Sequence, residues 1–460
     1  MIRQANRFPG QSATPPLQRD PTELQRPAWR PRRADFLLKW SFVILCATCF
    51  WNLNGITQLV FGQYRLFSIV MLVSGFVVIG RGMGYIRGSM TTLMYAYLTF
   101  MTIYISVGMI QNFSVSYFIS CGNAIFLTIA GAVAARVLIA RIGLGKTMGW
   151  VTILLCLGAW TVFLSPFLRG FYATAGNTEL NMNAGRNLGF FANPNETGMA
   201  ANLAAVACFA CLTLPRSRNA VLNVALAVTG FGAVLTFSRS ALVTLAATGI
   251  GYLGLTAQLG RRSVGLMISG AILIGVSYWF FTGGYQLFDW QPEQLRRIHS
   301  MERIMTFQEL ESEDGVAGRM TGAMRGLDYW VESPWIGHGM GSLHQMPDRY
   351  FGGLGCHNSH VMVLGESGVP GGLAYIVFLT IWFAACWNCR QQSIRALAMG
   401  TFFLFIAFGM VSHNVVEQRN VNVLMGISFG MLSMQNFVIS THGPEYSKRP
   451  GKGTRPQVHY

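Results

Sequence analysis

The chain has 460 residues, of which 52% are hydrophobic and only 11% are charged. Because a soluble protein carries about a quarter charged residues, this composition excludes a globular protein that faces water on all sides. The net charge of +16 does not indicate nucleic-acid binding, since the basic residues lie mainly in short clusters between apolar runs. The sequence therefore predicts an all-α polytopic membrane protein with no nucleic-acid partner.

Apolar runs of about 18 residues or more recur along the chain, and each is long enough to cross a bilayer as a helix. Residues 1–35 are rich in Pro, Arg and Gln and predict a disordered basic tail that can lie on anionic membrane lipid. Transmembrane helices are predicted within residues 36–282 and 367–438, followed by a second basic tail at 439–460. The twelve predicted spans are residues 36–54, 66–80, 91–110, 117–135, 147–164, 197–214, 220–237, 241–259, 264–282, 367–387, 396–413 and 420–438.

The charges of the short loops predict how these helices are oriented. Five short loops on one side of the membrane carry eleven basic residues, and the five short loops opposite carry five. Positively charged loops stay in the cytoplasm, so both termini are predicted to be cytoplasmic. The long insertion at 283–366 is then predicted to lie on the non-cytoplasmic side.

Two short polar segments also lie on the non-cytoplasmic side. The first is Asn193-Pro194-Asn195-Glu196, in which Asn-Pro favours a turn and Asn195 or Glu196 is expected to cap the next helix. The second places Arg239 between two serines, at a tight reversal between two apolar runs. An arginine at this depth is costly unless it meets an anion or a water-filled cavity. Arg239 is therefore a candidate anion-binding residue, and snorkelling to lipid phosphates is the alternative.

The stretch from residue 283 to residue 372 holds 11 of the 18 carboxylates and five of the eight histidines. His357 and His360 are three residues apart and share a face if a helix begins near Asn358. The sequence has neither an H-E-x-x-H zinc motif nor a D-x-D motif for magnesium diphosphate, so no metal ion is predicted. His357 is a candidate catalytic base or hydrogen-bonding group, because a neutral histidine accepts a proton near pH 7.

Other residues of this stretch are less distinctive. Arg319 lies in the loop, where an arginine is usually solvated, so it is a weaker anion-binding candidate than Arg239. His338 and His344, in glycine-rich sequence, are interpreted as loop residues. Trp335 belongs to an aromatic group that either stacks on sugar rings or anchors the loop in the headgroup layer. The group comprises Tyr329, Trp330, Trp335, Tyr350 and Phe351.

A set of short motifs occurs in a fixed order relative to the predicted helices. The motifs are Phe190-Phe191-Ala192-Asn193-Pro194-Asn195, Thr236-Phe237-Ser238-Arg239-Ser240, Gly318-Arg319, Trp330 with Pro334-Trp335-Ile336-Gly337-His338-Gly339, and His357-Asn358 followed by Glu366, Gly368 and Gly371. Each motif is short, but their order and placement together resemble the O-antigen ligase superfamily, which includes Wzy-type polysaccharide polymerases. The resemblance covers about residues 147–440.

This resemblance implies a GT-C-like membrane glycosyltransferase that needs no metal ion and no cofactor. Its donor would be a glycan linked to undecaprenyl diphosphate, and a hydroxyl of a glycan or lipid A-core acceptor would attack the anomeric carbon. The resemblance also implies a bacterial inner membrane, with the active site on the periplasmic face and residues 283–366 as a large periplasmic loop.

In that scheme the catalytic residues are His357, Arg239 and Arg319. The arginines would neutralise the departing diphosphate, and His357 would orient or deprotonate the acceptor hydroxyl. The predicted substrate-binding residues are Arg186, Asn358, His360, Glu366 and Trp335. For Glu366, capping or orienting the following helix is the alternative.

Three other functions stay open at this point. Within the superfamily, a polymerase that joins lipid-linked repeat units competes with a ligase, and the placement of His357-Asn358 before the tenth span favours the ligase. A transporter or flippase of lipid-linked sugar also fits twelve spans, although it needs no external loop of about 80 residues with clustered histidines. The last alternative is a membrane glycosyltransferase of the cell-shape and division kind.

Overall fold

The computed structural model describes residues 34–55, 57, 66–86, 91–165, 167–168, 187–191, 193–214, 219–256, 275, 278–280, 282–287, 295, 298–299, 302, 316–344, 346–347, 355–412 and 415–435. In this part of the chain the regular elements are helices, and no strand occurs. The α-helices are α1 (Ala34–Phe50), α2 (Leu66–Ile86), α3 (Thr92–Gln111), α4 (Val115–Ile142), α5 (Leu144–Trp160), α6 (Pro194–Leu212), α7 (Asn219–Leu235), α8 (Arg239–Thr256), α9 (Val316–Val331), α10 (Ser359–Trp387), α11 (Gln392–Gly409) and α12 (Arg419–Ser433). Two 3-10 helices are Thr161–Leu164, which continues α5, and Gly284–Leu287.

Helices lie where eleven of the twelve predicted spans fall, and most of the ninth span, 264–282, lies outside the described residues. Five of these helices are long and apolar enough to cross a membrane: α3, α4, α5 with its 3-10 extension, α10 and α11. Four shorter apolar helices are Phe36–Phe50, Leu66–Gly82, Asn219–Leu235 and Ser240–Tyr252. The prediction of an α-helical polytopic membrane protein is confirmed. The count of twelve spans, the periplasmic loop and the GT-C-like architecture stay predictions.

α6 lies at the centre of the bundle. Every residue from Thr197 to Leu212 is buried, and the helix packs against α5, α7, α8 and α11. Its sequence is rich in alanine, and small side chains let neighbouring helices approach closely where lipid supplies no hydrophobic driving force. Within this core, Asn202 Nδ2 donates to Thr244 Oγ1 of α8 at 2.7 Å. This hydrogen bond fixes the register of α8, which begins at Arg239.

α12 is the second fully buried helix, and it packs against α4. A Cβ atom at Gly426 or Gly430 would overlap the backbone carbonyls of Thr128 and Ala132 in α4. The two glycines are four residues apart, the spacing that allows close backbone contact between membrane helices. The contact holds the beginning of α12 beside α4, where the polar residues of the site lie.

The beginning of α6 differs from the prediction. Its cap is Asn193, not Asn195 or Glu196, because Asn193 Oδ1 accepts a hydrogen bond from Asn195 N at 2.8 Å. Pro194 then occupies the first helical position, where an N–H group has no helical partner to lose. Glu196 lies in the first turn, where the positive end of the helix dipole stabilises a carboxylate.

Candidate functional site

The site is built around a break in α10 at Gly368, whose φ of 62° is in the left-handed region. A side chain at this position would overlap the Trp335 carbonyl group. The segment Pro334–Gly341 lies across the break and supplies hydrogen bonds that the helix loses. Val369 N donates to Pro334 O at 2.9 Å, and two backbone amides of the segment donate to carbonyls just before the break. Backbone hydrogen bonds thus hold the glycine-rich segment Pro334–Gly341 against the break in α10.

Glu366 joins three parts of the structure at this break. Its side chain is 1% exposed, and its carboxylate accepts hydrogen bonds from Tyr104 Oη of α3 and from Gly341 N. The Gly341 N···Oε1 distance is 2.9 Å. Next to it, Met340 N donates to the Gly108 carbonyl of α3 at 3.1 Å. These bonds favour the alternative role for Glu366, in which it orients α10, and a direct contact with substrate stays a prediction.

Asn358 is the cap of α10. Its Oδ1 accepts hydrogen bonds from His360 N at 3.0 Å and Val361 N at 3.1 Å. His360 faces into the bundle, where its Nδ1 pairs with Tyr375 Oη at 2.8 Å and its Nε2 with the Ile406 carbonyl at 2.9 Å. Since a carbonyl only accepts, Nε2 carries the proton and Nδ1 accepts from the tyrosine. His360 therefore has both ring nitrogens engaged within the protein, while His357 directly precedes the cap and is partly exposed.

His344, whose glycine-rich surroundings predict a loop residue, is a neighbour of His357. Cys356 N donates to the Leu343 carbonyl at 2.9 Å, which brings the two histidine segments side by side. Burial lowers the pKa of His344 to about 4, and the charge of nearby His357 contributes in the same direction. His344 is therefore neutral at pH 7.

Glu417, in the turn before α12, faces His344. The distance between Glu417 Oε1 and His344 Nε2 is 3.7 Å, and the imidazole stacks on Tyr117 with ring centroids 4.6 Å apart. Burial raises the pKa of Glu417 to about 7. A carboxyl group with a pKa near neutrality is able both to accept and to donate a proton under physiological conditions.

A polar cavity of about 210 Å³ lies between α1, α4 and the beginnings of α6 and α12. Glu417 lines it, so the carboxyl group that faces His344 also faces this cavity. The lining combines amide, hydroxyl, carboxylate and guanidinium groups with one aromatic ring, Phe191. Its polar members include Asn52, Ser120, Asn123, Glu196, Glu417 and Arg419.

The motif around Arg239 meets the Asn-Pro-Asn motif. Ser238 Oγ donates to Asn195 Oδ1 at 2.7 Å, and Ser240 Oγ lies 3.3 Å from the same oxygen. Phe237, just before this turn, has a φ of 50°, a conformation that costs a non-glycine residue energy. The turn places Arg239 at the first position of α8, next to the beginning of α6.

Four helices, α6, α8, α10 and α12, begin at this end of the bundle. The beginnings of α6 and α8 meet through the Asn195 contacts, and those of α6 and α12 line the same cavity. α10 meets the segment before α12, because Ser359 N donates to the Ser412 carbonyl at 2.9 Å. Helix N-termini carry partial positive charge and bind anions. Convergence of four of them gives this end of the bundle a positive backbone potential.

Some of the predicted site residues lie at this end of the bundle, and others do not or cannot be placed there. His357 and Asn358 lie at the beginning of α10, and Arg239 at that of α8, both at this end of the bundle. Arg319 lies in the first turns of α9, a helix that packs against α10. Trp335 is 72% exposed, which is compatible with either interpretation of the aromatic group. Arg186 lies outside the described residues.

Three residues at the site were not among the predicted ones: His344, Glu417 and Arg419. Glu417 and Arg419 stand in a short turn between two apolar helices, where a charged residue is unusual, and this was the available signal. His344 had no such signal, because glycine-rich loops often carry a solvated histidine.

The fold and the site define a class of protein: a helical multi-pass membrane protein with a polar site at the end of the bundle where several helices begin. A family model described as O-antigen ligase matches residues 224–376, from within α7 to within α10. The match confirms the resemblance to the O-antigen ligase and Wzy-type superfamily that the motifs indicated. It includes the Arg239, Arg319 and His357 motifs. No curated protein matches the chain.

Proposed function

We propose that the protein is a membrane glycosyltransferase that moves a glycan from undecaprenyl diphosphate to an acceptor hydroxyl in cell-surface polysaccharide assembly. The observation that carries the proposal is that the helices beginning at Arg239 and just after His357 start at the same end of the bundle, in a chain that resembles O-antigen ligases. The expected setting is a bacterial inner membrane, with the site on the periplasmic face.

The reaction exchanges one carbon–oxygen bond for another. The acceptor oxygen bonds to the anomeric carbon of the donor, and the bond from that carbon to the diphosphate breaks with its electron pair left on the diphosphate. His357 takes the proton of the acceptor hydroxyl. The leaving diphosphate gains negative charge. Hydrogen-bond donors and positive charges that the fold holds in place before the reaction stabilise this charge best.

Two of the four helix beginnings suit the diphosphate. Glu196 lies in the first turn of α6 and Glu417 just before α12, so each of these two N-termini already faces a carboxylate. The beginnings of α8 and α10 carry Arg239 and His357 instead. Arg239 and Arg319 are proposed to bind the phosphate oxygens, because a guanidinium group offers two parallel hydrogen bonds to them.

Reconstitution tests the reaction and separates ligase from polymerase. The purified protein in liposomes receives an undecaprenyl-diphosphate-linked repeat unit, with and without lipid A-core, and the products are separated by gel. Core-linked glycan is expected from a ligase, and a ladder of lipid-linked glycan would instead identify a polymerase. If neither product forms while labelled lipid-linked sugar crosses the bilayer, the enzyme proposal is wrong and a flippase is indicated.

A further inference from the structure

The cavity beside Glu417 is not needed to hold the diphosphate, and its lining differs from that of an anion site. Two carboxyl groups, Glu196 and Glu417, face one guanidinium group, Arg419. The lining therefore lacks the excess of positive charge that binds a diphosphate. The remaining polar groups are amides and hydroxyls, which both donate and accept hydrogen bonds. This chemistry fits a neutral, hydroxyl-rich ligand.

The size of the cavity is compatible with such a ligand. Its accessible volume of about 210 Å³ is well above the roughly 10–15 Å³ that one water molecule needs, so the cavity has room for a polar organic group. A sugar ring with its hydroxyl groups fits this space. Phe191 also borders the cavity, but it is 2% exposed, so polar groups make most of the surface that a ligand meets.

The position of the cavity relates it to the reacting groups. Glu417 lines the cavity on one side and lies 3.7 Å from His344 on the other, and His344 is the electrostatic neighbour of His357. A sugar in the cavity would therefore present hydroxyl groups toward the side where the proposed base lies. The cavity also borders the beginning of α6, whose Asn195 contacts the serines on both sides of Arg239.

We propose that this cavity is the subsite for the attacking sugar of the acceptor, and that Glu417 holds one of its hydroxyl groups. The identification of this sugar as the acceptor rests on the proposed glycosyl transfer. The binding of a sugar in the cavity does not depend on that reaction. Glu417 is here a positioning residue for the sugar, and His357 remains the proposed base.

Binding is tested directly with the full-length protein in detergent. The probes are the methyl glycosides of glucose, galactose, N-acetylglucosamine and a heptose, measured one at a time by saturation-transfer NMR, with inorganic pyrophosphate as an anionic probe by phosphorus NMR. Ser120→Trp places a large ring in the cavity. Ser116→Trp is the matched control, because Ser116 lies one turn earlier on α4 and is exposed.

At least one glycoside is expected to bind the unaltered protein and the Ser116→Trp variant. Ser120→Trp is expected to abolish that signal, and Glu417→Gln to weaken binding at least tenfold while the melting temperature stays near that of the unaltered protein. The proposal is overturned if no glycoside binds, if Ser120→Trp leaves glycoside binding unchanged, or if pyrophosphate is the only probe that Ser120→Trp displaces.

The transfer assay separates this proposal from the proposed function. With active protein, Ser120→Trp and Glu417→Gln are expected to raise the KM for acceptor at least tenfold and to leave the KM for the lipid-linked donor within twofold. Transfer with an unchanged acceptor KM in both variants would refute the subsite and leave the reaction standing. Glycoside binding that Ser120→Trp abolishes, in a protein that transfers nothing, would support the sugar site and refute the reaction.

Discussion

At the residue scale, His357 and Arg239 carry the proposed chemistry from the beginnings of two different helices. Because His357 is proposed to take the acceptor proton and Arg239 to bind the leaving diphosphate, His357→Ala and Arg239→Ala are each expected to reduce transfer at least a hundredfold. Turnover in the reconstituted assay measures the loss.

An exposed histidine and an exposed arginine serve as matched controls for these substitutions. His299 and Arg325 are about half exposed, and each pairs with a neighbouring carboxylate. His299→Ala and Arg325→Ala are expected to transfer at the rate of the unaltered protein. Normal turnover in His357→Ala would remove His357 from the mechanism. Transfer that stops when EDTA is added would contradict the prediction that no metal ion is needed.

His344 and Glu417 have pKa shifts of opposite sign, and these shifts act oppositely on stability. The pKa of His344 falls from 6.5 to about 4 on folding, so the unfolded chain binds the proton more tightly and stability falls as pH drops below 6.5. The pKa of Glu417 rises from 4.5 to about 7, so the folded chain binds the proton more tightly and stability rises as pH drops from 7. Between pH 7 and pH 5 each effect is about 2 kcal/mol, and the two nearly cancel.

Removing either partner is therefore expected to reveal the effect of the other. On going from pH 7 to pH 5, His344→Gln should become more stable relative to the unaltered protein, and Glu417→Gln should become less stable, each by about 2 kcal/mol. Melting temperatures in detergent at the two pH values measure the change. If both variants keep the pH dependence of the unaltered protein, the two groups are not buried as described.

At the element scale, the break in α10 depends on a single glycine. Gly368→Ala would place a Cβ atom against the Trp335 carbonyl and hold alanine at a φ of 62°. The expected destabilisation is about 1–3 kcal/mol, seen as a lower melting temperature. Gly149→Ala in α5 is the matched control, since no atom lies within 4 Å of the added Cβ position, and it should not lower the melting temperature. Equal effects in both variants would show that the break is not under this constraint.

Local sequence signals predicted much of these elements. Apolar length placed helices at eleven predicted spans, and the proposed helix beginning near Asn358 corresponds to α10, which Asn358 caps. Local signals failed where two residues compete for one role, as at the beginning of α6, where Pro194 selects Asn193 as the cap. They also failed for contacts between distant segments. Asn195 and Ser238 are 43 residues apart, and their hydrogen bond follows from how α6 and α8 pack.

At the scale of the whole molecule, the positive potential and the cavity lie at the end of the bundle where α6, α8, α10 and α12 begin. α4 begins at the same end, since Tyr117 in its first turn stacks on His344. The turn between α10 and α11 lies at the opposite end, because it follows the C-terminus of α10. The charge bias of the loops predicts that the first end faces the periplasm and the second the cytoplasm.

Single cysteines at the two ends test this orientation. Ser116 and Arg390 are both exposed, and the nine native cysteines are buried and expected to react slowly. A membrane-impermeant maleimide applied to intact spheroplasts should label Ser116→Cys and should label Arg390→Cys only after the membrane is permeabilised. The reverse pattern would place the helix beginnings and the cavity in the cytoplasm. A lipid-linked glycan presented on the outer leaflet would then have no access to the site, and transfer on the periplasmic face would have to be abandoned.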